Sequence, residues 1–270
     1  MSSSHKLLAA VFLTAVLMAG CSSDNPADSA PEVNDDNLVI LRSSSPHFNY
    51  YCVARDTVVI DTLSKLLESN LERVSLLYGF SIDDTIDVRI YPDFATFHRH
   101  VDWPTSDIPP TLVGQCVGPD EIKIISPLNS EPVNSYGEIL LVAIHESIHA
   151  IHFHIYESRP GARYPPTWLF EGFASYEADL RPNPDIIRQR VRENNLPLIQ
   201  QYEDADYFND NYGYHFCYTI FRYLLLEYDY DKVSNLLRHP SPVAYALGEG
   251  VTMDTLNAGW HDYLIVNYSK

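Results

Sequence analysis

The segment from residue 134 to residue 158 constrains the fold more than any other part of the chain. It predicts a long helix that carries two histidines and a glutamate, His145, Glu146 and His149. Their neighbours are almost all apolar, namely Ile139, Leu140, Leu141, Val142, Ala143, Ile144 and Ile148. A helix that is apolar on every side is buried in a core. Burying these polar groups without partners costs free energy, so the fold must supply partners for them.

The spacing of these residues points to a metal ion. The run His145-Glu146-Ser147-Ile148-His149 is an HExxH motif. Residues four apart share one face of a helix, so both imidazoles can bind one ion. Glu146 is offset around the helix, so it can reach a water molecule bound to that ion rather than the ion itself. A catalytic zinc takes three protein ligands and keeps one position open. The motif therefore predicts a zinc hydrolase with Glu146 as general base; the alternative is a chance motif with satisfied core histidines.

A third ligand does not follow from the motif itself. Metzincins place a histidine six residues after the second motif histidine, and this chain has Ile155 there and His152 at the preceding glycine position. That pattern fails, which leaves His152 and His154 as possible ligands. His152 shares a face with His149, but a fourth ligand would close the open position. We therefore expect His152 to be structural or to support a ligand.

A second motif offers a better third ligand. The run Trp168-Leu169-Phe170-Glu171-Gly172-Phe173-Ala174 resembles the "WL-x-EG-x-A" helix of gluzincin metallopeptidases, in which the glutamate binds zinc. The resemblance implies this role for Glu171, and Gly172 and Ala174 would let this helix pack closely on the HExxH helix. Alternatively, Glu171 is a surface acid favoured near a helix N-terminus. In some gluzincins an aspartate at the position of Ser175 orients a motif histidine. This chain lacks that aspartate, so a different group must orient the histidine.

Together the two motifs resemble the peptidase MA-like family, close to the minigluzincins, over residues 58–268. The resemblance implies an α+β fold, with a small mixed β-sheet and a hairpin edge strand packed on a mainly helical, zincin-type catalytic domain. It implies a zinc metallopeptidase that binds one Zn²⁺ through His145, His149 and Glu171. Metal-activated water would then hydrolyse a peptide bond, with Glu146 as the base.

Two further roles follow from the same resemblance. A tyrosine or histidine of a later helix would stabilise the oxyanion; the candidates are Tyr212, Tyr214 and His215, and Tyr214 is favoured, although most of the 19 tyrosines must serve packing. The edge strand over residues 112–117 would pair with an extended substrate, which assigns substrate binding to Val113, Gly114 and Gln115.

The periodicity along the chain supports an α+β domain. The order is one helix, then strands, then helices only, which predicts a small sheet on one side of a helical body. Thr167 is a plausible N-cap. The predicted helices cover residues 58–78, 93–101, 134–158, 168–180, 184–194, 212–229, 231–238 and 253–268, and the predicted strands cover 86–91, 111–117 and 121–126.

The N-terminus predicts export. Residues 1–20 have the layout of a secretory signal, and Leu17-Met18-Ala19-Gly20-Cys21 resembles a bacterial lipobox, which implies a lipid on Cys21. Residues 21–37 form a polar, acidic tether, and residues 38–270 form the catalytic domain. We therefore expect a bacterial lipoprotein of the outer membrane, cell surface or periplasmic face. The alternative is an ordinary signal peptide.

Charge and cysteine content narrow the function further. The net charge of −18 excludes a nucleic-acid partner, because phosphates need a basic face. Export allows one disulfide among Cys52, Cys116 and Cys217, with Cys52–Cys116 as the first choice and three buried thiols as the alternative.

The predicted activity is that of an endopeptidase, because no aminopeptidase GxMEN-type motif precedes the HExxH helix. The alternative function is a non-catalytic, zinc-containing binding or assembly lipoprotein.

Overall fold

A computed structural model describes residues 39–102, 108–109, 111–129, 134–157 and 165–270. The predicted signal peptide (1–20), the tether (21–37) and the lipidated Cys21 lie outside the described residues.

The described residues form one five-stranded mixed sheet. Its strands are β1 (Ile40–Ser44), β2 (Phe48–Cys52), β3 (Ile86–Tyr91), β4 (Gly114–Cys116) and β5 (Glu121–Ile125). The spatial order is β1-β2-β3-β5-β4, so that β1 and β4 are the edges. The two central pairs, β2/β3 and β3/β5, are parallel, and the two outer pairs, β1/β2 and β5/β4, are antiparallel.

Side-chain alternation explains how the sheet packs. Cys52, Ile90, Ile124 and Gly114 are neighbours in register across four strands and are buried against the helices. The next row faces the other way and is polar, with Arg89 lying 4.8 Å from the ring centroid of Tyr51. Successive residues of a strand point to opposite faces, so one face of the sheet is core and the other is more polar.

Helices make up most of the described chain. The long α3 carries both motif histidines, and α4 follows it. The helices are α1 (Ile60–Tyr78), α2 (Phe94–His100), α3 (Tyr136–Glu157), α4 (Thr167–Glu177), α5 (Pro184–Arg192), α6 (Ala205–Asp210), α7 (Gly213–Glu227), α8 (Tyr230–Arg238), α9 (Val243–Leu247) and α10 (Met253–Tyr268), with short 3-10 helices at Ala54–Val59 and Ile199–Glu203.

The helix α3 lies at the centre of this arrangement. It contacts β4 and β5 of the sheet as well as α1, α4 and α8. Its residues 142–153 are buried without interruption. The α+β class is therefore confirmed, and the apolar motif helix is a core helix, as its composition predicts.

Local signals in the sequence explain several boundaries. Gly79 ends α1 in the left-handed conformation, with φ of 64°, which glycine adopts without the steric cost of a Cβ. Asp93 caps α2 by accepting a hydrogen bond from the amide of Thr96 at 2.8 Å. The predicted hairpin is present, although its first strand is only Gly114–Cys116.

Three expectations were wrong. Two strands, β1 and β2, precede α1, so the chain does not begin with a helix. Thr167 is the first helical residue rather than the N-cap, which is Pro166. The short helices α6 and α9 were not predicted. The first strand was missed because all of β1 is exposed, so it carries no alternation of buried and polar positions.

The expected Cys52–Cys116 disulfide is absent, since Cys52, Cys116 and Cys217 are buried free thiols. Cys52 lies on β2 and Cys116 on β4, with β3 and β5 between them. Three strand spacings amount to about 14 Å. A disulfide requires Cα atoms within about 7 Å, so the sheet topology excludes this pair.

Among the described helices, none combines the length and the apolar character required to cross a membrane.

The cysteine arrangement predicts the thiol count of the folded protein. In a Cys21→Ser variant, denaturation without reductant followed by alkylation should add three labels per chain, because no pair of the remaining cysteines is bonded. Intact-protein mass spectrometry measures this number. A single label would contradict the topology described above.

Candidate metal centre

Two helices bring three ligand atoms to one point in the core. The Nε2 atoms of His145 and His149 on α3 lie 3.0 Å apart. The Oε2 atom of Glu171 on α4 lies 3.3 Å from the first nitrogen and 3.4 Å from the second. All three residues are buried, and together they form a group that could hold a metal ion.

The shape of this group fits a four-coordinate ion. The ligand atoms form a nearly equilateral triangle, with sides of 3.0, 3.3 and 3.4 Å. In a tetrahedral site with bonds of about 2.0–2.1 Å, two ligand atoms are about 3.4 Å apart. One point can therefore lie at bonding distance from all three atoms. In such a site the triad would fill three of the four tetrahedral positions.

The charges of the triad also suit metal binding. Burial and the charge of His149 lower the pKa of His145 to about 4, so this imidazole is neutral and offers a lone pair. Burial acts to raise the pKa of Glu171, but the charge of His149 and hydrogen bonds from both imidazoles lower it to about 2. Neutral imidazole and ionised carboxylate are the forms that bind metals.

Glu146 lies beside the triad, against the edge strand β4. An added Cβ on Gly114 would lie 3.0 Å from both Cγ and Oε1 of Glu146, and 2.5 Å from Cγ1 of Val142. Only a glycine lets the strand come this close. Burial and the negative charge of Glu171 raise the pKa of Glu146 well above its usual range, while a hydrogen bond from the Cys116 amide opposes this. The oxygen Oε2 has no hydrogen-bond partner among the described residues.

Aromatic rings fix the orientation of the second motif histidine. The ring of His149 stacks on Phe170, with 4.0 Å between centroids and 14° between planes. Phe170 immediately precedes Glu171, so the same helix supplies the ligand and the ring that holds another ligand. The sequence did not point to this role of Phe170.

His152 lies outside the triad, as expected of a structural residue. It stacks on Phe170 at 5.2 Å and meets the edge of Phe173 at 5.3 Å. Burial and the charge of His149 lower its pKa to about 3, and a hydrogen bond to the backbone of Leu237 opposes this shift. Its side chain therefore joins α3, α4 and α8.

Tyr214 is the one oxyanion candidate next to the triad. Its ring lies 6.4 Å from that of His145, and its hydroxyl is buried. Burial, followed by the charges of Glu171 and Glu146, raises its pKa well above the usual value, so the hydroxyl keeps its proton and can donate it in a hydrogen bond. Tyr212 is 43% exposed, and Nδ1 of His215 accepts from the Asn183 amide at 3.4 Å.

The predicted substrate strand is shorter than the predicted 112–117, and Val113, Gly114 and Gln115 are all buried. Val113 precedes β4 and packs in a small cluster with Ile125, Ile139 and Val142. The side chain of Gln115 points to the outer face, where its amide bonds both backbone groups of Asp102 at 3.0 and 3.2 Å. The backbone of Gly114 lies against the side chain of Glu146, since an added Cβ there would be 3.0 Å from its Oε1.

The reason given for Gly172 was wrong. An added Cβ at Gly172 would lie 2.6 Å from the carbonyl oxygen of Cys217, so this glycine permits close approach of α4 to α7 rather than to α3. Glu171 and Gly172 are consecutive, and consecutive helical residues point about 100° apart. Since Glu171 faces α3, Gly172 must face a different neighbour.

Glu177, at the other end of α4, fixes this helix to α1. Its buried carboxylate accepts hydrogen bonds of 2.5 Å from both Arg73 and Tyr78, and its backbone oxygen accepts from Asn70 and Arg73 at 3.3 and 3.1 Å. Sequence reasoning missed this anchor. A signal was present, because an acid in the last turn opposes the helix dipole and implies a compensating partner.

Comparisons with known proteins do not identify this centre: no protein-family model matches the chain, and no curated protein matches it significantly.

The geometry predicts about one bound metal per chain. Glu171→Ala should lower the affinity for the metal ion, because one of three ligands is removed. Loss of a residue that only orients a ligand typically lowers metal affinity by about 10–100-fold, and the loss in Glu171→Ala should be larger. Elemental analysis after equilibrium dialysis measures the metal content. His154→Gln is the matched control, since His154 also lies on α3 but outside the triad, and it should keep the metal. Equal metal content in Glu171→Ala and the unaltered protein would contradict the assignment.

Proposed function

We propose that this protein is a zinc-dependent peptidase that hydrolyses peptide bonds, most simply as an endopeptidase. The observation that carries the proposal is the buried triangle of two imidazole nitrogens and one carboxylate oxygen, with sides of 3.0 to 3.4 Å, beside a further carboxylate. Two histidines, one glutamate and an open fourth position are the ligand set of catalytic zinc sites.

The triad would hold the ion, and neighbouring side chains would transfer protons and stabilise charge on the substrate. When bound, zinc supplies Lewis acidity, which lowers the pKa of a water molecule to about 7 and polarises a carbonyl group. His145, His149 and Glu171 keep this chemistry in a water-poor site because all three are buried.

Glu146 is suited to accept and return a proton. Burial and the charge of Glu171 raise its pKa, which makes its carboxylate a stronger base than an exposed glutamate. It would take the proton of the attacking water and later deliver it to the leaving nitrogen. A hydrogen bond from the Cys116 amide holds the Glu146 carboxylate against β4, so the group that accepts the proton has a fixed position.

Tyr214 is suited to stabilise the charge on the carbonyl oxygen. Its buried hydroxyl remains protonated and lies within the fields of Glu171 and Glu146. A hydrogen bond from a preorganised donor strengthens as negative charge develops on the oxygen. The position of Tyr214 at the start of α7 is rigid, because its ring meets that of Phe208 edge-on at 4.7 Å.

The alternative is a zinc-containing lipoprotein that binds a partner without turnover. The same triad would serve it, but Glu146 would not be needed. Both functions place the protein on the cell envelope through a lipid on Cys21. This location rests on the sequence of residues 1–21 and would be tested by labelling with radioactive palmitate in the unaltered protein and in Cys21→Ser.

Substitution of the base separates the two functions. In Glu146→Gln, cleavage of a mixed peptide library should fall by about 10²–10⁴-fold, because the isosteric amide cannot accept a proton. Mass spectrometry of the digest measures the rate, and elemental analysis should show an unchanged metal content. A zinc-loaded protein that cleaves no peptide, or an equally active Glu146→Gln, would reject the proposed mechanism.

Removal of one hydroxyl tests the oxyanion assignment. Tyr214→Phe should lower kcat by about 10²–10³-fold with little change in KM, because the lost hydrogen bond matters mainly in the transition state. Tyr212→Phe removes the same group from an exposed ring two residues away and should leave kcat unchanged. Equal kcat values for the two variants would remove Tyr214 from the mechanism.

A further inference from the structure

A cavity lies beside the C-terminal end of α4, between this helix and α7. Its volume is about 820 Å³, and residues of α1, α3, α4, α7 and α8, together with residues that follow α4, line it. The contacts with α3 are made by Leu141 and Ile144, whereas the metal ligands His145, His149 and Glu171 are not among the lining residues. The cavity is therefore separate from the metal centre.

The charge of this cavity differs from that of the rest of the chain. The chain has 36 acidic residues and 18 lysines and arginines. In the cavity the basic residues outnumber the acidic ones by three to two, with the arginines Arg73, Arg181 and Arg222 against Glu177 and Asp179. A local excess of positive charge in a strongly acidic protein is a feature that attracts an anion.

Two of the three arginines already have carboxylate partners. Arg73 bonds the buried carboxylate of Glu177 at 2.5 Å. Arg181 bonds Asp179 through two nitrogens, at 2.8 and 3.1 Å. Arg222 makes no ion pair or hydrogen bond within the described part of the chain. One full positive charge thus remains for a ligand.

Two phenol groups surround this free charge. The rings of Tyr176 and Tyr218 lie 5.4 Å apart, and Arg222 is close enough to both to lower the pKa of each hydroxyl. Burial nevertheless raises both pKa values above the usual range, so both groups keep their protons. Neither hydroxyl bonds another group among the described residues, so both are available as donors.

Four aliphatic side chains make part of the remaining wall apolar. Leu225 and Leu226 on α7, together with Leu141 and Ile144 on α3, line the cavity, and Leu226 is 66% exposed. Tyr218, Arg222 and Leu225 follow one face of α7 at helical spacing. An exposed leucine beside a free guanidinium suits a ligand with both an anionic group and an apolar body.

We infer that this cavity binds a carboxylate attached to an apolar or aromatic body. The guanidinium of Arg222 would bond both carboxylate oxygens, Tyr176 and Tyr218 would donate further hydrogen bonds, and the leucines would cover the apolar part. A single uncompensated positive charge favours a monoanion over a phosphate dianion. The free C-terminal residue of a peptide and a small aromatic acid share this chemistry.

Calorimetric titration of the full-length protein tests the site with two matched probes. N-acetyl-phenylalanine carries the carboxylate, and N-acetyl-phenylalanine amide lacks the charge. The acid should bind at least about 10-fold more tightly than the amide, because only the acid forms charge-assisted hydrogen bonds. Equal affinities, or tighter binding of inorganic phosphate than of the acid, would overturn the inference.

Variants connect this binding to the cavity. Arg222→Gln should lower the affinity for the acid by about 10-fold or more and leave the affinity for the amide unchanged. Tyr218→Phe should lower the affinity for the acid by roughly 3- to 10-fold. Arg192→Gln, a change at another exposed arginine, should have no effect. An unchanged affinity in both Arg222→Gln and Tyr218→Phe would overturn the assignment.

Two further arms identify the source of the carboxylate and exclude the metal centre. Glu171→Ala should bind the acid as well as the unaltered protein; loss of binding there would mean that the probe binds the metal and would refute the inference. An acetylated Ala-Ala-Phe peptide with a free carboxyl group should bind more tightly than N-acetyl-phenylalanine if peptide C-termini are the source, and equally if small acids are.

Discussion

Two imidazoles and one carboxylate converge inside the core, and the rest of the structure depends on how that polar group is stabilised. His145, His149 and Glu171 are all buried. Polar groups removed from water without full compensation cost several kcal/mol. A divalent ion would interact with the carboxylate and both nitrogen lone pairs at once, and the group is placed so that it could hold such an ion.

The surrounding helices serve to hold α4 in one position against α3. At Gly172 the backbone of α4 approaches α7 so closely that an added Cβ would lie 2.6 Å from a carbonyl oxygen. At the end of the helix, Glu177 bonds Arg73 and Tyr78 of α1. A shift of α4 would therefore break the ion pair of the buried Glu177 carboxylate with Arg73, as well as the triangle of ligand atoms. These contacts fix the position of α4, and they thereby fix the position of the Glu171 carboxylate relative to His145 and His149.

The parts of the structure that could be predicted were those determined by local periodicity. The spacing of His145 and His149 fixed their common face, and the apolar residues around them predicted that α3 is a core helix. The α+β class followed from the order of elements, and Gly79 marked the end of α1. Family resemblance, rather than spacing, pointed to Glu171.

The parts that could not be predicted depend on contacts between distant segments. The neighbour of Gly172 is set by the packing of α7, and the separation of Cys52 from Cys116 is set by the order of strands in the sheet. The roles of Gly114 beside Glu146, and of Glu177 beside Arg73, arise from tertiary contacts over more than 30 residues of chain. The grouping of Tyr176 with Tyr218 and Arg222 was also beyond prediction, because two different helices, α4 and α7, bring these residues together.

The most direct test of the central claim is anomalous diffraction from crystals of the zinc-loaded protein, recorded on both sides of the zinc absorption edge. We expect one peak per chain, about 2.0–2.1 Å from the Nε2 atoms of His145 and His149 and from a carboxylate oxygen of Glu171. A fully loaded crystal with no peak among these three atoms, or with its peak at other residues, would contradict the account.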